Sequence, residues 1–318
     1  MLNLLLSILY WRSRIKHKEN PLAILYYHHV FEHKNDFHPD DINAVDFDKQ
    51  IAFLKKHFNI ITLAQAIELL KTKRLPAKAL VITFDDGYQD NFTVAAPILK
   101  KHNSPATFFI STRGVEDGYL WNDKVEQLIK NTQQTTISKS IIGEEITINN
   151  KAEKVAAFQK LLSKLKFLSH QHRTIQINKL AEELGTINIE RTMMTAEQVK
   201  LLHQDGFTIG AHTHNHTILA TETIENCQQE LLTNKHILET IINDKINFLA
   251  FPNGLFERDF TSEHCKLVNK MDFEAGFSTN DGGAFSSTHS FTIPRFMPYR
   301  KQLPLFALSI AKIAGENV

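Results

Sequence analysis

The sequence predicts an α/β fold built on parallel strands, and three observations carry that reading. Short apolar runs alternate with amphipathic helical stretches along most of the chain. The 318 residues are 42% hydrophobic and 22% charged, an ordinary globular composition that can bury a large core. Side chains able to do chemistry fall directly after the apolar runs, where a parallel sheet gathers them on one face.

In chain order, the start MLNLLLSILYWRSRIKHK has about ten apolar-rich residues, too few to span a bilayer. Its basic cluster follows the apolar stretch, the reverse of a secretory signal. It reads as a helix lying either on the fold or at a membrane interface. LAILYYHHV, from Leu22, reads as a strand with His28 and His29 at its carboxyl end. Phe47, Ile51, Leu54 and Phe58 then recur at helical spacing, and Thr62 with Gln65 makes a capping box before Leu63, Ala66, Ile67 and Leu70. Leu80 to Phe84 form a buried strand that runs into Asp85, Asp86 and Gly87. A helix through residues 91 to 102 and the apolar run Thr107 to Ile110 continue the alternation.

Residues 111–193 break the rhythm and read as an insertion. From Lys139 to Gly185 the pattern is Lys- and Glu-rich and mostly helical, with a Gly143-Glu144-Glu145 turn suited to a small hairpin. Charge runs of this kind are usually solvated helix faces, so no chemistry is assigned to them. Alternation resumes with a helix from Ala196 to His203, a strand from Phe207 to Ala211, and His212, His214 and His216 immediately after it. A long helix carries Ile224, Leu231 and Leu238, NFLAFPNG is a strand ending in the turn Pro252-Asn253-Gly254, and a helix around 259 to 270 follows. The strand Ala275 to Thr279 and the segment FTIPRF, 291 to 296, complete the pattern. The expected organisation is an apolar and basic segment at 1–20, one domain at 21–300 and an amphipathic tail at 301–318.

Lys and Arg number 36 against 35 Asp and Glu, a formal net charge of +1, so no global field argues for nucleic acid. Cys227 and Cys265 are the two cysteines, which indicates neither a disulfide framework nor a thiolate zinc site. Histidine is plentiful, at 16.

Asp85 and Asp86 are the first chemical signal. Two like charges held side by side at a buried strand end repel and lose hydration, a cost that a metal ion or a substrate proton relieves. Taken alone, the tripeptide with Gly87 also suits plain turn chemistry. His212 and His216, at i and i+4, would lie on one side of a helical turn, and a carboxylate from another strand would complete a three-ligand site with open positions. H-x-x-x-H alone is weak; joined to the aspartate pair it favours metal.

TFDDG at 83–87 and HTHNH at 212–216, in that order and each ending a strand, resemble the first two motifs of the polysaccharide deacetylases, the NodB-homology or carbohydrate esterase 4 family. The similarity covers roughly residues 22 to 300 and takes in ATFFI and GFTIGAHTHNH. It implies a distorted (β/α) barrel of fewer than eight repeats, with the mostly helical insertion added to it. It also implies a divalent metal, zinc with cobalt or nickel as alternatives, held by Asp86, His212 and His216, with Asp85 as catalytic base. The implied activity removes an N-acetyl group from an amino sugar in a polysaccharide or a lipid-linked glycan precursor. A formyl or O-acetyl hydrolase, or a glycan-binding domain with a degenerate site, are the alternatives.

Two departures from the family pattern matter. Ala250 stands where an arginine often orients the base, and Arg295 is the candidate substitute. The late histidine motif that usually supplies the acid is not obvious, which leaves His289 or, in a permuted arrangement with Tyr27, His28. His28 is preferred because it ends a strand beside the one bearing Asp85. Asn253 and Tyr88 are the expected substrate contacts. The expected partners are a carbohydrate, no nucleic acid, and a peripheral membrane contact through the apolar chain ends near the site; oligomeric state is not readable. The expected location is cytoplasmic or peripheral at the inner membrane, with the periplasm left open.

Overall fold

The computed structural model describes residues 2–185, 187–297 and 302–316. The expected boundary between domain and tail at 300 and 301 lies outside them. Six strands, β1 (Leu22–Tyr27), β2 (Ala79–Phe84), β3 (Thr107–Ile110), β4 (Thr208–Ala211), β5 (Phe248–Ala250) and β6 (Ala275–Phe277), lie side by side in that order. Each neighbouring pair is parallel, and a short strand at Asn59–Ile60 adds to the start of β2. Every residue of β1, β2, β3, β5 and β6 is buried. Parallel sheets have both faces covered, so their strands read as continuous apolar runs, which is why the sequence places them well.

The sheet curls and closes through the segment after β6. Ile293 bridges to Phe277 and Phe296 bridges to Leu25. The Ile293 and Phe296 amides donate to the carbonyls of Gly276 and Ile24, both at 3.0 Å. Pro294, between them, has no N–H to give, so the seam is a pair of isolated bridges and not a seventh barrel strand. The result is the expected distorted barrel. Alternate residues of β1 serve its two faces: Ala23, Leu25 and Tyr27 pack with the surrounding helices, while Leu22 and Ile24 pack with inner-face residues such as Phe109 and Phe277.

The insertion has its own core. Helices Trp121–Asn131, Lys151–Leu165 and His170–Leu184 bury Val125, Phe158, Leu161 and Leu180 together. The expected hairpin exists as Thr136–Ile137 paired antiparallel with Ile146–Thr147, with Gly143 at φ 88°. A short helix, Lys139–Ile142, fills the connection.

The first helix, Leu2–His17, buries Leu6, Tyr10 and Ser13 against the fold and contacts the last helix, Leu303–Ala314. At one end the His17 ring stacks on Phe285 at 4.0 Å, and at the other His57 bonds Asn3 Oδ1 at 2.6 Å. Phe285 adjoins Ala284, which bridges Leu22, and His57 leads into the strand paired with Ala79. Both anchors therefore sit at the amino ends of the strands. The expectation that the apolar ends gather near the site is corrected for the first helix, which the short link from His17 to Leu22 holds at the opposite end from Asp85 and His212, whereas Leu303, at the start of the last helix, lines a cavity with His38 and Asp41. No described helix is long and apolar enough to cross a membrane.

Candidate active site

β1 and β2 run in register, so that where β2 ends the Asp85 amide donates to the Tyr27 carbonyl at 2.9 Å. This turns the Asp85 side chain into the barrel mouth at 2% exposure. Arg295, from the closing seam, meets it there. Its Nη1 and Nη2 donate to Oδ1 and Oδ2 at 2.7 and 2.8 Å, a bidentate pair. Nη1 also reaches Thr83 Oγ1 at 3.1 Å and Nε reaches the Ser278 carbonyl at 3.2 Å. The guanidinium lies over the rings of Tyr26 and Phe109, 5.0 and 5.4 Å from their centres. Burial alone would raise the Asp85 pKa, but Arg295 and His212 outweigh it and hold the carboxyl below its ordinary value. Asp85 is thus held as a carboxylate, almost wholly buried.

Asp86 adopts φ 75° and Gly87 φ 94°, a reversal that sends the second carboxylate away from the first. A Cβ at Gly87 would come 2.8 Å from Ile110 Cγ2, so the turn needs glycine for space as well as conformation. His212 Nε2 and His216 Nε2 approach Asp86 Oδ1 to 3.3 and 3.0 Å. That oxygen is nevertheless buried without a hydrogen bond among the described residues. One donor atom from each of the three residues lies within 4.8 Å of the others. His212 Nδ1 donates to the Ala250 carbonyl at 2.8 Å, which leaves its Nε2 lone pair facing Asp86. Two imidazole nitrogens and one carboxylate oxygen that converge on one point are a donor set a cation would satisfy. Burial opposes the Asp86 charge, yet His216 and His212 together hold its pKa well below the ordinary value.

The i, i+4 spacing works here without a helix, contrary to the expectation. Residues 212–216 form a loop in which Thr213 and His216 take φ 59° and 49°, because only a left-handed step brings both rings back to one carboxylate. Residues that the sequence reading did not select hold this loop. Asn234, fully buried on helix Ile224–Ile242, accepts from the His212 amide at 3.2 Å and donates to the carbonyls of Thr213 and Ile110 at 2.7 and 2.9 Å. Glu230, one turn earlier, accepts from the Asn215 amide at 2.8 Å. The available signal was a polar intrusion on an apolar stripe, since both share the buried face with Cys227, Leu231 and Leu238.

With this geometry in place, a model of the family described as polysaccharide deacetylase matches residues 72–276. The chain belongs to the polysaccharide deacetylase family. It is similar to YxkH of Bacillus subtilis, 22% identical over 280 residues that span 87% of this chain and 71% of that one. It is also similar to the poly-beta-1,6-N-acetyl-D-glucosamine N-deacetylase of Staphylococcus aureus, 30% identical over 123 residues, 35% of this chain and 42% of the relative. Among solved structures, the Streptococcus pyogenes deacetylase PplD in complex with acetate shares the fold, with a TM-score of 0.59 at 19% identity over 88% of this chain and 92% of that one.

In this deacetylase, His28 follows β1 and is partly exposed, its ring edge-on to Tyr26 at 5.6 Å. Its carbonyl is fixed by Asn91 Nδ2 at 2.8 Å. His289 lies elsewhere, in a separate cavity with Phe256, Cys265 and Phe291. Asn253 and His216 face a cavity of about 270 Å³ whose opposite wall comes from the insertion, including Trp121, Gln159, Lys166 and Arg173. The insertion, read from sequence as solvated surface, thus builds part of the cleft. Arg173 is 1% exposed, lies over the Trp121 ring, and leaves Nη1 unpartnered among the described residues. Tyr88, expected on the substrate, is instead 2% exposed, stacked on His29 and hydrogen-bonded through its hydroxyl to Asn122.

Arg295→Met leaves the Asp85 charge buried and unpaired, and should destabilise the fold by about 3–5 kcal/mol in urea titrations. Adding Asp85→Asn should recover most of that loss. Because pairing lowers the Asp85 pKa, its stabilisation is present above the ordinary carboxylate range and lost as pH falls through the folded value, so the gap between wild type and double variant should shrink below about pH 4. A single variant as stable as the wild type at neutral pH would refute the pairing argument.

Proposed function

We propose that this chain is a metal-dependent hydrolase that removes an N-acetyl group from an amino sugar in a polysaccharide or a lipid-linked glycan precursor. The observation that carries the proposal is the Arg295-clamped Asp85 carboxylate beside the converging Asp86, His212 and His216 donors. The likeness to a relative named for N-deacetylation of poly-beta-1,6-N-acetyl-D-glucosamine supports the acyl group and the sugar class. The missing family arginine at Ala250 had suggested a degenerate binding domain; an arginine from the seam now stands at the base, which removes that motive.

In this reading Asp86, His212 and His216 hold a divalent ion, zinc, cobalt or nickel by donor type, which supplies Lewis-acid polarisation of the acyl carbonyl when bound. Asp85 takes a proton from the attacking water as oxygen adds to the carbonyl carbon. Arg295 keeps that carboxylate ionised and aimed, with one lone pair on each oxygen still available. The turn at Asn253 lies on the same side of the cleft as His216, and since the Gly254 and Leu255 amides are engaged by Pro252 and Asp259, the Asn253 N–H is its donor for the developing oxyanion. As the C–N bond breaks, His28 gives its proton to the departing amine, and acetate leaves.

Chelation should abolish acetate release from N-acetylated sugars, and zinc or cobalt should restore it. His216→Ala should lower metal content, whereas Asp85→Asn should keep the metal and lose the rate. Full activity from a metal-free preparation would sink the proposal.

For His28, replacement by Ala should cost on the order of a hundred- to ten-thousandfold in kcat on an amide and remove the alkaline limb of the pH profile. Activated esters, which need little leaving-group protonation, should be hydrolysed almost normally. A collapse in His289→Ala with His28→Ala near wild type would reverse the assignment.

The location proposed is peripheral to a membrane surface. On helix Leu2–His17 the side opposite Leu6 and Tyr10 exposes Leu4, Ile8, Trp11 and Ile15, with Arg12 and Lys16 exposed alongside. The protein should float with anionic liposomes, and replacing those four apolar residues by Ser should abolish flotation while acetate release persists. Equal flotation of both forms would leave the helix as a docking element alone.

A further inference from the structure

A second group of metal-type ligands lies outside the candidate active site and shares no residue with it. We infer that His29, His38 and Asp41 hold a second divalent cation that clamps the insertion to the barrel. One donor atom from each of these three residues lies within 4.8 Å of the others. The His29 ring is stacked between Tyr88 and Phe31 at 3.6 and 4.4 Å. Its Nδ1 bonds Asp90 Oδ2 at 2.6 Å. Its Nε2 is buried without a partner among the described residues, on a side chain only 9% exposed. His38 is arranged the same way: Nε2 bonds Glu126 Oε2 at 2.7 Å, and Nδ1 lies 3.4 Å from Asp41 Oδ2.

The chemistry of this set is that of a supported metal site. A carboxylate on the far nitrogen fixes the tautomer of a ligating histidine, turns its ring and raises its basicity. Asp90 does this for His29 and Glu126 does it for His38, which leaves His29 Nε2, His38 Nδ1 and Asp41 as the inward donors. The local charge also calls for a cation. Asp41, Asp90 and Glu126 converge here with Asp123 one turn before Glu126, and Lys130 pairs with Glu126. A cavity lined by His29, His38, Glu126 and Lys130 gives access. Because Glu126 belongs to insertion helix Trp121–Asn131 and His38 packs on Phe158 of helix Lys151–Leu165, a cation there ties the insertion to the end of β1. Two nitrogens and one carboxylate oxygen suit zinc or cobalt.

The inference is independent of the deacetylase mechanism, and metal stoichiometry tests it. The full chain, stripped by chelator and dialysed, is titrated with Zn²⁺ alone and assayed calorimetrically and by elemental analysis. Wild type should bind one equivalent more than His38→Ala, whatever the active site binds. His216→Ala should retain the equivalent that His38→Ala loses. Equal stoichiometry in wild type and folded His38→Ala would overturn the inference. Should His38→Ala fail to fold, Glu126→Gln decides: it keeps all three ligands but loses the orienting carboxylate, and one site should weaken 10- to 100-fold while the other is unchanged. Two unaltered affinities in that variant would also overturn it.

Discussion

A buried ion pair sits at the point where the barrel closes. Asp85 and Arg295 are both withdrawn from water, and desolvating two ions costs several kcal/mol each unless geometry and extra hydrogen bonds compensate. Here both carboxylate oxygens are met by one planar guanidinium, whose other donors go to Thr83 and Ser278 and whose faces rest on aromatic rings. Arg295 stands on the seam between β6 and β1, so closing the sheet and fixing the carboxylate are one interaction. Backbone hydrogen bonds on both sides of Pro294 and the buried side chains of Ile293 and Phe296 complete the seam.

The second constraint is backbone strain at the carboxyl ends of the strands. Asp86, Thr213, His216 and Asn253 all have positive φ, and each such non-glycine residue costs on the order of 1–3 kcal/mol. Other non-glycine residues with positive φ, such as Lys73, Asn103 and Asn243, sit in turns away from the site, whereas these four lie in the loops that carry the candidate ligands and cleft residues. Their strain is held by buried polar groups, with Asn234 tying two strand-end loops together and Ser111 Oγ bonding the His212 carbonyl at 2.7 Å. Rigid packing below and satisfied polar groups behind allow the mouth to keep a geometry that local propensity disfavours.

Much of the fold was legible because parallel strands are apolar on both faces. LAILYY and LVITF could be recognised without knowing their neighbours, and Thr62 with Gln65 forms the capping box that its spacing announces. Periodicity says nothing of a closing segment that makes two bridges and no ladder, so 291–296 could be placed only as a late segment. The insertion was misread for a related reason. Its helices do have solvated faces, but Trp121, Gln159 and Arg173 point into a cleft that exists only once the three helices dock over His216.

Burial patterns and residue types are local properties of the chain, and they were enough for the α/β class, the run of strands along the chain, and the placing of Asp85, Asp86, His212 and His216 at strand ends. Tertiary structure alone decided which groups meet. That Arg295 lies on Asp85 across 210 residues, that the histidine pair closes through left-handed turns, and that His29 packs against His38 all follow from how the strands register and how the loops return. Those contacts depend on distances between segments far apart in sequence, which no spacing within one segment encodes.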